Sequence, residues 1–222
     1  MLEGLFVLPI LLFSVVIHEI SHGYMALRLG DPTAKRKGRL TLNPLPHIDA
    51  VGSVLVPLMS LIVAGQVFIA WAKPVPVNPL NFQNARRDDI LVSIVGPLSN
   101  VAIALCCTVI VVILLNLLAV FEPSSPGFVK DGFEFLIRMF YAGILLNSIL
   151  AVFNLLPIPP LDGSHIVASL LPQEYGERYR RIGFFGIFVI ILLMRVPAFK
   201  SAFMNFVALL LAPFDSIILT FA

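Results

Sequence analysis

The chain has 222 residues, of which 59% are hydrophobic and 13% are charged, and its formal net charge is +2 at pH 7. Soluble domains carry about 25% charged residues, so this composition excludes a soluble domain and indicates an integral membrane protein. The small net charge, without a long block of basic residues in the sequence, argues against a nucleic-acid partner.

Six apolar runs divide the sequence and predict an all-α, multi-pass helix bundle in the lipid bilayer. A helix needs about 20 apolar residues to cross a bilayer, which most of these runs provide, so we expect about five spanning helices. They would form a single membrane-embedded domain over residues 1–222, with a motif-bearing core at 5–180 and C-terminal helices at 182–222. The runs cover residues 5–29, 51–71, 90–120, 135–156, 182–194 and 202–221.

The first run carries three ionisable residues at membrane depth, where such groups usually mark a functional site. His18, Glu19 and His22 lie in the sequence His-Glu-Ile-Ser-His. Helical residues four positions apart share a face, so the two histidines can bind one zinc ion. Glu19 can then reach a water molecule on that ion and act as a general base. The motif predicts a hydrolytic zinc site inside the membrane.

Basic residues beside the runs predict how the chain is oriented. They are concentrated at residues 28–39, at Arg86 and Arg87, and at 178–181. Because basic residues are retained on the cytoplasmic side of a membrane, all three places should face the cytoplasm. The second run, 51–71, must then cross an even number of times, which about 20 residues cannot do as spanning helices. We therefore predict that 51–71 is a re-entrant segment.

Two short segments have the features of membrane-associated β-strands. Residues 36–43 (RKGRLTLN) precede a proline, and residues 71–79 alternate proline and valine, which requires an extended chain. A substrate peptide can add as a strand to such an edge. Because proline lacks an N–H group, we expect Val75 and Val77 to be the substrate-binding residues of the second segment.

The third and fourth runs return the chain to the depth of the histidines. We expect the third run to lead outward, residues 122–134 to form an external loop, and the fourth run to lead back, which places Asp162 on the same side as His18. A catalytic zinc ion takes three protein ligands, so a third is needed. Asp162 can equally cap the helix that begins near Gly163, and spacing alone does not decide between these roles. The candidate third ligands are Asp162, His165, His47 and Asp215.

Three motifs together resemble those of the site-2 protease family of intramembrane zinc metalloproteases. They are HEISH at 18–22, GPLSN at 96–100 and NLLPIPPLDG at 154–163. Their order, spacing and membrane context all fit that family over roughly residues 5–180. The chain is similar to the minimal members of the family, which have no PDZ or CBS domain.

The resemblance implies one catalytic zinc ion and a role for several residues. Glu19 would be the general base, and Asn154 would steady the substrate or the developing oxyanion. Asn100 either contacts a bound ligand or ties helices together, and we treat it as a candidate substrate-binding residue. The implied zinc ligands are His18, His22 and Asp162.

These observations predict an intramembrane zinc endopeptidase that hydrolyses peptide bonds in or near the transmembrane segments of single-span, membrane-anchored substrates. Such an enzyme serves regulated intramembrane proteolysis or the clearance of signal-peptide remnants. The expected location is a bacterial cytoplasmic membrane, with the active site toward the cytoplasm. Two alternatives belong to other classes: a divalent metal transporter or channel, and a catalytically silent scaffold that binds membrane helices. The sequence does not indicate an oligomeric state.

Overall fold

Eight α-helices make up most of the part of the chain that the structure describes. The structure is a computed structural model, and it describes residues 8–49, 72–121 and 127–222, together with Gly52 and Leu55. Two 3-10 turns lie at Leu45–His47 and Pro79–Asn81. The helices are α1 (Leu8–Arg28), α2 (Thr33–Arg36), α3 (Ala85–Phe121), α4 (Gly127–Asn154), α5 (Asp162–Leu170), α6 (Gln173–Arg180), α7 (Phe185–Arg195) and α8 (Pro197–Phe221).

Four of these helices, α1, α3, α4 and α8, are long and apolar enough to cross a membrane. They confirm the prediction of an all-helical, multi-pass membrane protein. Helix α7 has 11 residues, so it is about 16 Å long, roughly half the thickness of the hydrocarbon core. The expected count of about five spans is therefore not confirmed within the described ranges. The predicted re-entrant segment at 51–71 lies outside the described residues, apart from Gly52 and Leu55.

Local structure differs from the prediction at three segments. Helix α4 begins at Gly127, so the part of the predicted external loop from residue 127 to 134 is helical. No β-strand occurs in residues 8–49, 72–121 or 127–222, and the strands predicted at 36–43 and in the segment 72–79 are not confirmed.

Helix capping explains why residues 36–43 do not form a strand. Gly38 has φ of 63°, a left-handed conformation that turns the chain back over the end of α2. The N–H groups of Gly38 and Arg39 then donate to the carbonyls of Lys35 and Ala34 at 3.0 Å each. These backbone groups are consequently used by the helix end and are not offered to a neighbouring strand.

Helix α3 lies at the centre of the bundle, where it packs against α1, α4, α5 and α8. A buried apolar cluster forms where α3 meets α4 and α8. It contains Ala104, Cys107 and Val111 of α3, Ile144 of α4 and Phe214 of α8. Polar residues of α3 toward the other end of the helix face α1 and α5. The central position of α3 therefore lets one helix contact α1, α4 and α5, which carry His18, Asn154 and Asp162 respectively.

A buried carboxylate ties the segment after residue 72 to the end of α1. Asp31 is fully buried, and its Oδ2 accepts the Asn78 N–H at 2.7 Å. Its Oδ1 accepts the side-chain amide of Asn81 at 2.7 Å and the Thr33 N–H at 3.0 Å. Burial raises the pKa of Asp31, but these hydrogen bonds outweigh burial and hold the pKa below its ordinary value.

Replacing Asp31 with Asn is expected to lower the free energy of unfolding by about 1–3 kcal/mol, because the new amide turns a donor toward N–H groups that need an acceptor. Since the pKa of Asp31 is lowered in the folded protein, its contribution is present above the pKa of the unfolded chain and is lost as the pH falls through the folded-state value. The difference in free energy of unfolding between wild type and Asp31→Asn should therefore be largest at neutral pH and become smaller below about pH 4.

Denaturation of the purified protein in detergent at a series of pH values measures this effect. Asp131→Asn is the control, because Asp131 is an exposed residue near the start of α4. Equal losses in the two variants, or a loss that does not change with pH, would contradict the assigned role of Asp31.

Candidate active site

Three side chains direct metal-ligating atoms at one point between α1 and α5. His18 Nε2 lies 3.2 Å and His22 Nε2 lies 3.4 Å from Asp162 Oδ2, and the two Nε2 atoms are 3.1 Å apart. Ligand atoms bound tetrahedrally at the usual zinc distances of 2.0–2.1 Å are separated by about 3.3 Å. The spacing of these three atoms therefore fits one zinc ion.

The outward nitrogens of both histidines are held by α3. His18 Nδ1 donates to Asn100 Oδ1 at 2.7 Å, and His22 Nδ1 donates to the Val92 carbonyl at 2.7 Å. A proton on Nδ1 leaves a lone pair on Nε2, which is the form of histidine that binds a metal. Both rings therefore present ligating nitrogens toward Asp162.

A chain of amides fixes the direction of the hydrogen bond at His18. Asn147 Nδ2 donates to the Gly143 carbonyl at 2.9 Å, which can only accept, and to Ser14 Oγ at 2.9 Å. Asn147 Oδ1 must then accept from Asn100 Nδ2, at 2.9 Å. Asn100 consequently turns its oxygen toward His18, and the proton belongs to His18 Nδ1.

The three converging atoms are two unprotonated histidine nitrogens and one carboxylate oxygen. Because none of them can donate a hydrogen bond to another, a cation is needed to stabilise their close approach. Asp162 Oδ2 is buried and has no hydrogen-bond partner among the described residues. A buried acceptor without a partner is costly, and two further lone pairs face it from the histidines. A bound zinc ion relieves this arrangement, so the donor set as well as the spacing fits the metal.

Gly96 gives α3 the room to approach both rings. A Cβ atom at this position would lie 2.4 Å from His22 Nε2 and 2.7 Å from His18 Cε1. Real Cβ atoms do not make such contacts. The absence of a side chain at Gly96 is therefore a condition for the ring positions described above.

Close backbone packing places the aspartate. Helix α4 ends at Asn154, and the proline-rich turn that follows leads into α5, whose first residue is Asp162. A Cβ on Gly163 would lie 2.2 Å from the Leu155 carbonyl oxygen. The start of α5 thus rests directly on the backbone at the end of α4.

Glu19 lies beside the three ligating side chains and is oriented by the segment after residue 72. Its Oε2 accepts the Val75 N–H at 2.7 Å, and its side chain lines the same cavity as His18 and His22. One carboxylate oxygen is thereby fixed by the backbone, which orients the Glu19 side chain beside the two histidines.

The cluster opens onto a mostly apolar cavity of about 1360 Å³. Pockets for small molecules usually measure about 300–1,000 Å³, so this one has room for a peptide segment. Helix α7 contributes one face to the lining, with residues spaced as on a single helical stripe. These lining residues are Ile187, Ile190, Ile191 and Met194.

The structure brings the other predicted site residues to this cavity as well. Asn154, Asn100, Val75 and Val77 all line it. Asn154 donates one amide N–H to the Leu150 carbonyl of its own helix at 3.0 Å. Asn100 is fully buried and contacts His18. The substrate-binding roles of Asn100, Val75 and Val77 stay predictions, and the Val75 N–H already donates to Glu19 Oε2.

The remaining candidates for a third ligand lie away from the two histidines or face other groups. His165 Nδ1 lies 3.6 Å from Asp89 Oδ1. His47 hydrogen-bonds to the Thr41 carbonyl at 3.0 Å. Asp215 accepts the Tyr141 hydroxyl at 3.1 Å. Among the described residues, only Asp162 joins His18 and His22 in a possible metal cluster.

Three supporting groups were not singled out from the sequence for their part in the site. Nothing in the sequence indicates that the Val92 carbonyl holds His22, because every residue has a backbone carbonyl. Ser14 and Asn147 are polar residues inside long apolar runs, and that position was a signal that could have identified them.

Comparisons with known proteins place the chain among metalloproteases. The model of peptidase family M50 matches residues 131–194. A Bacillus subtilis protein named "Putative zinc metalloprotease YwhC" is 37% identical over 191 residues, 84% of this chain and 78% of that protein. "Putative zinc metalloprotease Rip2" of Mycolicibacterium smegmatis is 31% identical over 206 residues, 92% of this chain and 73% of that protein. No solved structure matches the chain.

Replacing Gly96 with Ala is expected to lower the affinity for zinc about tenfold or more, because the new Cβ displaces both imidazole rings from their ligating positions. Competition with a chromophoric chelator measures the affinity. Gly132→Ala is the matched control, since a Cβ at that position in α4 meets nothing within 4 Å. Wild-type affinity in Gly96→Ala would show that the rings do not depend on this close approach.

Proposed function

Because the chain belongs to peptidase family M50, the site-2 protease family, and is a zinc metalloendopeptidase of the membrane, we propose that it cuts single-span, membrane-anchored substrates within or beside their transmembrane segments. The observation that supports this most is the position of the ligand cluster. His18, His22 and Asp162 lie among helices long enough to span, on a cavity that is mostly apolar and wide enough for a peptide. The whole chain acts as one membrane-embedded protease domain.

The zinc ligands are His18 Nε2, His22 Nε2 and Asp162 Oδ2. When bound there, zinc polarises the scissile carbonyl and lowers the pKa of a water molecule. The chain contributes the fixed positions of the three ligand atoms. The hydrogen bonds from Nδ1 of each histidine keep the rings from turning and keep the ligating nitrogens free of protons.

Glu19 is the general base, and the structure of its surroundings suggests which oxygen acts. Oε2 accepts the Val75 N–H, so Oε1 takes the proton from the attacking water and later delivers it to the leaving amine. A base whose second oxygen is held by the backbone loses little freedom on reaching the reactive geometry.

Asn154 is positioned to stabilise the developing oxyanion. Its side chain lines the cavity, and one of its two amide N–H bonds is used by the Leu150 carbonyl. The second N–H is the donor for the oxyanion. One such donor contributes about 3–4 kcal/mol to transition-state stabilisation.

An unwound substrate binds along the segment 73–78. In an extended chain, alternate residues direct their N–H groups to the same edge. Lys73 donates to the His47 carbonyl at 2.9 Å and Val75 donates to Glu19 at 2.7 Å. Val77 comes next along that edge, so it offers its N–H to the substrate while Val75 holds the base. Pro74 and Pro76 have no N–H to offer.

The active site opens toward the cytoplasm. His18 lies at the middle of α1 and His22 lies one turn nearer its C-terminal end. Both contact Asp162, which follows the C-terminal end of α4. Arg28 ends α1, and Arg86 lies in the first turn of α3 at that end. Basic residues at a membrane boundary favour the cytoplasmic side.

Metal transport, the alternative from another class, finds less support. A transport path needs several groups of metal ligands at successive depths. In residues 8–49, 72–121 and 127–222 the structure has one such group, and Glu19 stands beside it. A carboxylate fixed next to the ligands serves hydrolysis, and a passive scaffold has no need of it.

Replacing Glu19 with Gln is expected to keep zinc and to lower the cleavage rate by about 10²–10⁴-fold, because the amide cannot accept the proton of water. The measurement is cleavage of a panel of single-span membrane substrates by purified protein in detergent, with zinc content determined on the same samples. Glu174→Gln, an exposed carboxylate in α6 that pairs with Arg178, is the control. Wild-type cleavage by Glu19→Gln would exclude Glu19 as the base.

Proline substitutions separate the two roles of the segment 73–78. Val75→Pro removes the N–H that holds Glu19 and should lower kcat, whereas Val77→Pro removes the proposed substrate donor and should raise KM. Neighbouring prolines already require an extended backbone here, so neither change should unfold the protein. Steady-state kinetics on a cleaved panel member, with unfolding temperatures as a check, give the answer. Unchanged kinetics in both variants would remove this segment from the mechanism.

A further inference from the structure

One face of α3 serves both histidines and also contacts the helix that carries the aspartate. Asp89, Val92, Gly96 and Asn100 lie within about 80° of one another around the helix axis, since each residue advances by about 100°. Val92 and Asn100 hold the two rings, and Gly96 makes room for them. Asp89 does not hydrogen-bond to His18 or His22, which are held by Asn100 and Val92, yet it lies on the same face of α3.

Asp89 is a buried carboxylate that accepts from residues of α5 and α6. It is 6% exposed, and its Oδ2 accepts from Ser169 Oγ and from Arg180 Nη2 at 2.7 Å each. Arg180 also donates to Ser169 Oγ at 3.0 Å, and His165 Nδ1 lies 3.6 Å from Asp89 Oδ1. A buried carboxylate surrounded in this way docks α5 and α6 on α3.

The docked residues share a helical face with the metal ligand. In α5, Asp162, His165 and Ser169 follow at intervals of three and four, so they lie on one side of the helix. Helix α5 has only nine residues and no side-chain cap at its N-terminus. A contact at Ser169 and His165 therefore adds to the packing of Gly163 on Leu155 in holding the first turn of α5, with Asp162, against the two histidines.

We propose that Asp89 is a positioning residue for the metal centre. It fixes α5 on the same face of α3 that holds His18 and His22, and it thereby sets the distance of Asp162 Oδ2 from both Nε2 atoms. Asp89 is not one of the three candidate ligands, and it acts on the metal centre through α5. This inference rests on the proposed role of Asp162 as the third zinc ligand.

A double-mutant cycle on zinc affinity tests the coupling. The proteins are wild type, Asp89→Asn, Asp162→Asn and the double variant, each titrated with zinc in competition with a chelator. Asp89→Asn should lower the affinity about 10–100-fold, the range typical for groups that orient metal ligands. In the Asp162→Asn background the same change should have almost no further effect, because the ligand that Asp89 positions is gone.

Absorption of the cobalt-substituted protein supplies a second measurement that is independent of catalysis. Asp89→Asn should shift the ligand-field bands of bound Co²⁺ relative to wild type, since the distance and direction of one ligand change. Glu174→Gln, a carboxylate-to-amide change on the exposed side of α6, should leave both the affinity and the spectrum at wild-type values. If the change in affinity and spectrum came only from a less stable α6, Glu174→Gln should show it as well as Asp89→Asn.

Each outcome decides between the two hypotheses. If Asp162→Asn loses zinc affinity and Asp89→Asn does not, Asp162 stays the ligand and the positioning role of Asp89 is overturned. If Asp162→Asn keeps wild-type affinity, the ligand assignment fails, and the positioning role fails with it. Equal losses from Asp89→Asn in both backgrounds would show a general structural effect and would also overturn the proposal.

A milder variant covers the case in which Asp89→Asn does not fold. Ser169→Ala removes one of the two hydrogen bonds to Asp89 Oδ2 and leaves the ion pair with Arg180 in place. It should give a smaller loss of zinc affinity, again only when Asp162 is present. Wild-type affinity and an unchanged cobalt spectrum in Ser169→Ala would count as a negative result for the proposal.

Discussion

His18 donates its Nδ1 proton to Asn100 at 2.7 Å, and the direction of that hydrogen bond decides what the opposite nitrogen can do. The direction is inherited from a backbone carbonyl, Gly143, through Asn147. A carbonyl cannot donate, so each amide in the series has only one orientation that satisfies its neighbours. The metal-binding form of the histidine is thus set by the fold and does not depend on the arrival of the metal.

The same polar contacts also hold the bundle together. Ser14, Asn100 and Asn147 are fully buried, and they join α1, α3 and α4, which are three of the four helices long enough to span. Inside a bilayer there is little hydrophobic drive between helices, so polar side chains that satisfy one another are effective links. Their hydrogen-bonding capacity is used within the protein, which avoids the cost of unpaired groups in lipid.

The sequence predicted the long apolar helices and the histidine pair, because hydropathy and the i, i+4 spacing are local properties. Spacing alone did not identify the third ligand, because Asp162 could equally have been a helix cap. The position of Asp162 Oδ2 near Nε2 of both rings favours the ligand over the cap. The strand expected at 36–43 is not confirmed because Gly38 caps α2, a local preference that hydrophobic alternation does not report. The role of Val92 depends on a backbone carbonyl, which residue type does not encode. The glycine at position 96 indicates close packing, but the sequence does not show that the two histidine rings are what approach it.

The three residues of α3 that hold or accommodate the two histidines restrict where residues can be inserted into or deleted from the chain. Val92, Gly96 and Asn100 act on the two histidines from one face of a continuous helix. Inserting or deleting a single residue between the first and the last would rotate one support by about 100° relative to the others. Substitutions elsewhere on α3 leave the relation of these supports intact, whereas a one-codon insertion within this stretch separates them. Variation in length among related proteins is therefore expected in the connecting loops and excluded from this part of α3.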